Sequence, residues 1–364
     1  MKLTFIALAS IAALGAGSAS AQSSVTLYGL VDAAFAHGTG SVSNKTQLKS
    51  SGYNSSHFGM RGTEDLGGGL TAAFDLEAGV NNDDGSGQGT NTNNQSTGGA
   101  GGGGALTFNR QAWVSLGGYW GELRLGRDYS PQFRNMDTFD PFGTNGIGTN
   151  GLLFPMVNFI TTYVRSSNSV AYLFNTSGWS TGPGVYGTVQ YYLGENNSNA
   201  ANSSDGRGAG ARIGYASGPF NVSLAVSRTT YLAGDTKQNN AGASYDFGVA
   251  KLMTEYVRDS VGAVDGKGWL IGGHIPVGAG VIRLSYTHYS MNMAGDPTNT
   301  KYALGYVHNL SKRTALYATY AHVSNRGTVA SDAGTLNSSI ALNGAVTGAG
   351  ASSSGIDIGI RHSF

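Results

Sequence analysis

Ile356-Asp357-Ile358-Gly359-Ile360-Arg361-His362-Ser363-Phe364 decides the fold class. In an extended strand successive side chains point to opposite faces, so Ile356, Ile358, Ile360, His362 and Phe364 share one face and Asp357, Gly359, Arg361 and Ser363 share the other. One face is apolar and the other is charged. A strand of this kind closing on an aromatic is expected to be sealed by neighbours on both edges, as in a transmembrane barrel.

The same period of two recurs upstream. Val25, Leu27, Val31, Ala33 and Phe35 fall on one face of the segment Val25 to Phe35, with Thr26, Tyr28 and Asp32 opposite. Leu70, Ala72, Phe74, Leu76, Ala78 and Val80 alternate with Thr71, Ala73, Asp75, Glu77 and Gly79. Two carboxylates on one face would be costly against lipid or a dry core, but a water-filled lumen solvates them, so that face is placed inward. Further runs are Ala105 to Leu116, Glu122 to Arg127, Ser167 to Phe174, Val185 to Gly194, Gly208 to Ala216, Phe220 to Thr229 and Asn240 to Phe247. Ala250 to Arg258, Gly268 to Ile275, Val281 to Tyr289, Lys301 to Leu310, Thr314 to Val323 and the terminal strand follow. The faces do not separate cleanly in Ala250 to Arg258 and Thr314 to Val323.

The total is about sixteen strands, an even number as bacterial single-chain barrels require. Connections alternate in length. Asp65 to Gly69, Gly117 to Gly121, Ala216 to Pro219, Phe247 to Val249, Pro276 to Gly280 and Asn309 to Arg313 are short. Asn81 to Gly104, Tyr129 to Ser166, Glu195 to Arg207, Asp259 to Lys267, Met291 to Thr300 and Ser324 to Gly355 are long, and Asn175 to Gly184 is longer than a simple turn. A barrel with short periplasmic turns and long outer loops predicts this alternation, whereas a soluble sandwich does not. The fold class expected is therefore all-β, a transmembrane antiparallel β-barrel of about 16 strands.

Lys2, the apolar stretch Leu3 to Leu14 and Ala19-Ser20-Ala21 read as a secretory signal peptide over residues 1–21, leaving 22–364 as one barrel domain. The apolar stretch is shorter than the ~20 residues a spanning helix needs. The absence of Cys rules out disulfides, and a formal net charge of +1 gives no support for nucleic-acid binding.

Several blocks resemble the general porins of beta-proteobacteria, the Gram-negative family of neisserial and Comamonas type. They are Ser24 to Gly29, Phe58-Gly59-Met60-Arg61-Gly62-Thr63-Glu64-Asp65-Leu66-Gly67-Gly68-Gly69-Leu70, Phe108 to Ala112, Leu125-Gly126-Arg127, Asn168-Ser169-Val170, Leu310 to Thr314 and Arg361 to Phe364. The resemblance implies a homotrimer of sixteen-stranded barrels in the outer membrane, surrounded by its lipids, each pore passing ions and small hydrophilic solutes without a cofactor. The segment Tyr129 to Ser166 carries Phe139-Asp140-Pro141-Phe142-Gly143 and Leu152-Leu153-Phe154-Pro155, too apolar for a loop waving in water, and looks like the constricting third loop of porins, which implies a long third loop folded into the lumen.

Asp137 and Asp140 on that loop are expected to face arginines drawn from Arg61, Arg110, Arg124, Arg127 and Arg134 across a constriction. The competing reading has these arginines at the rim, or paired locally with Glu122 and Asp128. Phase puts Arg61 and Arg124 inward. Arg110 falls with Ala112, Val114 and Leu116 on the lipid face, so it either snorkels above the bilayer or follows a bulge, and Arg127 poses the same difficulty. Ala171 stands where relatives commonly carry an arginine, with Arg165 or Arg212 available to compensate. Weak anion selectivity is the expectation, with a substrate-specific channel as the alternative.

Other chemistries fare poorly. The seven histidines are dispersed and no nucleophile elbow occurs, which argues against a barrel enzyme. Gly182-Pro183-Gly184-Val185-Tyr186-Gly187 matches G-x-G-x-x-G literally, yet no helix follows it. Asn81-Asn82-Asp83-Asp84-Gly85 lacks the spaced acidic pattern of a dedicated calcium loop. Tyr28, Trp113, Trp120, Trp269 and Tyr306 are read mainly as interfacial girdle residues, with sugar stacking as the alternative.

Overall fold

The computed structural model describes residues 24–90, 93–95, 105–153, 161–177, 180–327 and 339–364, so the leader read over residues 1–21 lies outside the described residues. Sixteen strands form the wall. They are β1 Ser24–Thr39, β2 His57–Gly67, β3 Leu70–Asn81, β4 Gln111–Gly118, β5 Gly121–Tyr129, β6 Arg165–Phe174, β7 Gly184–Tyr192 and β8 Gly208–Ser217. The second half comprises β9 Phe220–Thr229, β10 Thr236–Asp246, β11 Lys251–Val261, β12 Val264–Val277, β13 Gly280–Met291, β14 Thr298–Asn309, β15 Thr314–Arg326 and β16 Ser353–Ser363. Each pairs antiparallel with its sequence neighbour, and β16 pairs with β1 from Leu30↔Ser363 to Thr39↔Ser354, which closes the sheet. No edge is left along that seam.

Burial is inverted relative to a soluble protein. Ile358 is 53% exposed and Leu224 56%, whereas their neighbours Asp357 and Ser223 are 0% and 2% exposed. Apolar residues therefore face outward and polar ones inward, as the terminal strand announces. At the tight turn joining β2 to β3, Gly67 and Gly68 take φ of 81° and 62°, a left-handed geometry that a side chain resists.

The strands run further than the alternation suggests in some places and less far in others. Val261 pairs with Val264, so the segment Asp259 to Lys267 is a tight hairpin rather than a long loop. The strand expected from Ala105 begins only at Gln111, because the preceding residues turn their polar groups onto neighbouring loop and strand atoms. Asn109 Oδ1 accepts from Gly79 N at 2.8 Å, and Thr107 Oγ1 donates to Gln88 O at 2.7 Å. Within Asn175 to Gly184, Thr176–Ser177 and Ser180–Thr181 make a small ladder of their own.

A short strand, Lys45–Ser50, pairs with the upper half of β1, while β2 pairs with its lower half. Between them the chain leaves the wall at residues 51–56. Asp32, on the inward face of β1 and fully buried, holds this excursion by accepting from the backbone N–H groups of Gly52 (3.1 Å), Tyr53 (2.9 Å) and Asn54 (2.7 Å). The Tyr317 hydroxyl donates to the same carboxylate from β15. Asp32→Ala strands these buried donors, and the expected cost is on the order of 3 kcal/mol. Thermal unfolding of the detergent-solubilised barrel checks this, and an unchanged midpoint would contradict it.

Candidate functional site: the lumen and its inward loop

The loop begins where β5 ends. Ser130 caps helix α1, Pro131–Phe139, by accepting from Phe133 N at 3.3 Å, with Pro131 in the first turn where a missing N–H costs nothing. The helix lies against the inward faces of β8 to β11. Gln132 Nε2 donates to Gln238 Oε1 at 3.0 Å and Asn135 Nδ2 to Asn240 Oδ1 at 2.8 Å, while the Phe139 ring occupies the space left by Gly242. The chain then crosses to the next wall segment. His274 Nε2 donates to Pro141 O at 2.7 Å, Asn150 Nδ2 to Glu255 Oε2 at 2.7 Å, and Lys301 Nζ to Ile147 O at 3.0 Å. Phe133, Met136, Phe142, Ile147, Leu152, Leu153 and Tyr163 pack with Val257, Leu270 and Tyr289 of the wall, an apolar core inside the barrel.

The two loop carboxylates differ. Asp140 turns toward its own loop, accepting from Phe142 N (2.8 Å), Thr144 N (2.9 Å), Asn150 N (2.8 Å) and Thr149 Oγ1 (3.1 Å). These bonds fix the turn of the loop. Asp137 is largely buried and accepts from Thr144 Oγ1 at 2.7 Å. Burial pushes its carboxyl up to about 6, with the nearby Asp140 charge adding to the rise.

The five arginines singled out in the sequence take five distinct positions. Arg61 is exposed to the lumen, its guanidinium 4.9 Å from the Tyr28 ring centroid, and makes no ion pair among the described residues. Arg124 is inward but clamped, donating to both Glu122 oxygens (2.7 and 3.0 Å) and to Asp128 (2.9 Å) over the Trp113 ring at 4.0 Å. Local pairing with Glu122 and Asp128 thus describes Arg124, and it extends to Arg134, which rides on α1 and donates to Asp128 at 2.8 Å.

Arg110 reaches inward from the bend just before β4, outside the regular ladder. Its N–H donates to the carbonyl of Glu77, the residue that already pairs with Gln111, and its Nε meets Glu77 Oε1 at 2.5 Å. Arg127 does not reach the lumen: it shares the outward phase of Ala112 and donates to Asn109 O (2.6 Å) and Ser167 Oγ (2.7 Å) near the loop end. Register there shifts between Gly126 and Asp128, which lets Asp128 keep its inward direction.

What phase alone did not single out is Tyr129, the last residue of β5. Arg110, Arg134 and Arg165 approach its ring at 5.9, 5.6 and 4.5 Å, and Arg165 also donates to its hydroxyl at 2.9 Å. Arg212 takes a second position, over Tyr186 at 5.0 Å and bonded to Asn135 and Thr138 of α1. Ala171 sits directly beside Arg124 in the register. Arg283 lies between Tyr53 (4.2 Å) and Phe142 (4.6 Å), and Arg361 covers Tyr53 at 5.1 Å and donates to Asn54 at 3.1 Å. A hollow of about 1100 Å³ is lined by Arg61, Asp75, Trp113, Glu122 and Arg124 among others. Among the described residues no cluster of His, Asp and Glu suited to a metal ion occurs.

The seat of α1 gives a steric test. A Cβ at Gly242 would overlap the Phe139 ring, so Gly242→Val should push the helix toward the pore axis and lower single-channel conductance. A folded variant with unchanged conductance would contradict this placement.

Comparison with known proteins agrees with this architecture. A family model described as Gram-negative porin matches residues 7–328. Outer membrane porin protein 32 of Delftia acidovorans is 37% identical over the whole of both chains, and an outer membrane porin protein of Bordetella pertussis is 29% identical over 89% of this chain and 95% of its own. The solved anion-selective porin from Comamonas acidovorans superposes with a TM-score of 0.77 at 33% identity, covering 94% of this chain and all of that one. OmpT of Vibrio cholerae in its trimer form shares the fold at 15% identity, with a TM-score of 0.60 over 94% of this chain and 99% of that one. Full-length likeness of this kind, joined to a wall that is greasy outside and charged within, makes the chain a member of the Gram-negative porin family, an outer-membrane channel and not an enzyme.

Proposed function

We propose that this porin is a general diffusion pore with a weak preference for anions, working as a homotrimer and exported by the leader that residues 1–21 encode. The observation that carries the anion preference is the asymmetry around Arg61. Its guanidinium stands open to lumen water and makes no ion pair among the described residues, with Asp75 facing it across the ladder, whereas the acids beside it are hydrogen-bonded. Tyr28 donates to Asp75 at 2.6 Å and Glu77 at 3.2 Å, and Glu77 is also paired with Arg110.

An unpaired cation in a narrow passage with low-dielectric walls raises the local concentration of anions. A carboxylate paired with an arginine, as Glu77 is, does so less for cations, because its charge is compensated at short range. In this reading Asp137 supplies the opposite sign from the loop side, so a solute in transit passes between groups of unlike sign. Such a field favours dipolar solutes over apolar ones. The relative described as an anion-selective porin supports the same direction, and the trimer rests on the resemblance to the general porins.

Reversal potentials across a salt gradient test the reading. The parent should show a modest anion preference, and Arg61→Ala should shift it toward cations. A cation-selective parent, or an Arg61→Ala channel with unaltered selectivity, would overturn it.

A further inference from the structure

At the loop end of β6 and β7, residues 93–95 of the connection between β3 and β4 are seated in a slot that the wall itself leaves open. The β6–β7 ladder stops at Ser169↔Tyr192, with one further bond from Leu193 N to Asn168 O at 3.1 Å. Beyond that point the side chain of Asn94, fully buried, supplies the next step. Ser167 N donates to Asn94 Oδ1 at 2.8 Å, while Asn94 Nδ2 donates to Ser167 O at 2.9 Å and to Leu193 O at 3.1 Å. A primary amide carries the same donor and acceptor as a peptide group, so it stands in for a strand edge.

The local backbone suits this seat. Asn93 and Asn94 take φ of 54° and 57°, a left-handed geometry that asparagine tolerates better than most residues with a side chain. Gly206 leaves the necessary room, since a Cβ there would come within 2.5 Å of Asn93 O and 3.0 Å of Asn94 O. On the far side Gln95 Nε2 donates to Gly194 O at 3.0 Å and to Asp205 O at 3.1 Å.

The slot also reaches the inward loop. Residues 161–164, which return that loop to β6, lie outside the wall's ladders, so the bonds that place them come from elsewhere. On the outer side Asn94 O accepts from Thr161 Oγ1 at 3.2 Å and from the Tyr231 hydroxyl at 2.7 Å. On the lumen side Thr162 O accepts from Gln132 Nε2 of α1 at 3.2 Å, and Tyr163 O accepts from the capping hydroxyl of Ser130 at 2.7 Å. The returning arm is held between the first turn of α1 and the buried asparagine.

We propose that Asn94 is a positioning residue for the channel: seated in its slot, it presses the returning arm against α1 and keeps the inward loop from swinging toward the pore axis. The inference rests on the chain's being a channel and not on its ion preference. It concerns how steadily the passage stays open, whichever ion carries the current.

Single-channel recording of the full chain in a planar bilayer, with thermal unfolding of the same preparation followed by circular dichroism, tests the proposal. The parent should carry a steady current. Asn94→Ala removes all three side-chain bonds, and brief partial closures should become roughly tenfold more frequent, the order that a net loss of one to two hydrogen bonds gives. Tyr231→Phe keeps the ring and loses one bond to the Asn94 carbonyl, so a rise of about threefold is expected. This milder variant carries the test should Asn94→Ala fail to fold. A folded Asn94→Ala channel with a lowered unfolding midpoint but a current as steady as the parent's would overturn the proposal, because the residue would then stabilise the barrel without positioning the loop. A steady Tyr231→Phe channel would overturn it where Asn94→Ala does not fold. A failure of the anion reading would appear in reversal potentials of the parent and leave these closures unchanged.

Discussion

Everything in this molecule follows from the requirement that no backbone N–H or C=O may face hydrocarbon without a partner. A sheet meets that requirement only when its first and last strands join, and here the ten register pairs from Leu30↔Ser363 to Thr39↔Ser354 do so. Once closed, the wall separates lipid from water, and each strand must present apolar residues to one and polar residues to the other. Burial is consequently reversed, with leucines and isoleucines exposed and aspartates and serines covered.

Closure also creates an interior that would be a wide hole if left empty. The chain fills part of it with its own segments, the loop that starts at Ser130 and the excursion at residues 51–56. They meet inside the barrel, where Ser55 Oγ donates to Asn145 Oδ1 at 2.6 Å and Arg283 lies between Tyr53 and Phe142. The excursion is held by one buried carboxylate, Asp32, and the loop turn by another, Asp140. Acids that a charge count would assign to the pore are in this way consumed as structural acceptors. Arg61 remains open to the water they surround.

This division explains how far the sequence could be read. Alternation was legible wherever a strand separates lipid from water, as in the terminal strand, β1 and β3, and it placed Arg61 and Arg124 inward. It blurred in β11 and β15 because Met253, Val257, Ala315, Tyr317, Ala321 and Val323 point inward against the loop and the excursion, so both faces of those strands are apolar in part. Arg110 was ambiguous because it precedes the strand that phase counting extended through it, and Arg127 because the register shifts beside it. The part Asp140 plays in fixing its turn was not legible because its partners are loop N–H groups, which composition does not reveal. Tyr129 gathers its arginines from three different parts of the chain, a convergence that periodicity along one strand does not encode.

The central claim is a closed wall with hydrocarbon outside and a continuous path of water within. Current through a planar bilayer after addition of the purified protein tests it most directly. The account predicts discrete ohmic steps whose size rises in proportion to the conductivity of the bathing salt. A bilayer that stays electrically silent with folded protein inserted would contradict it.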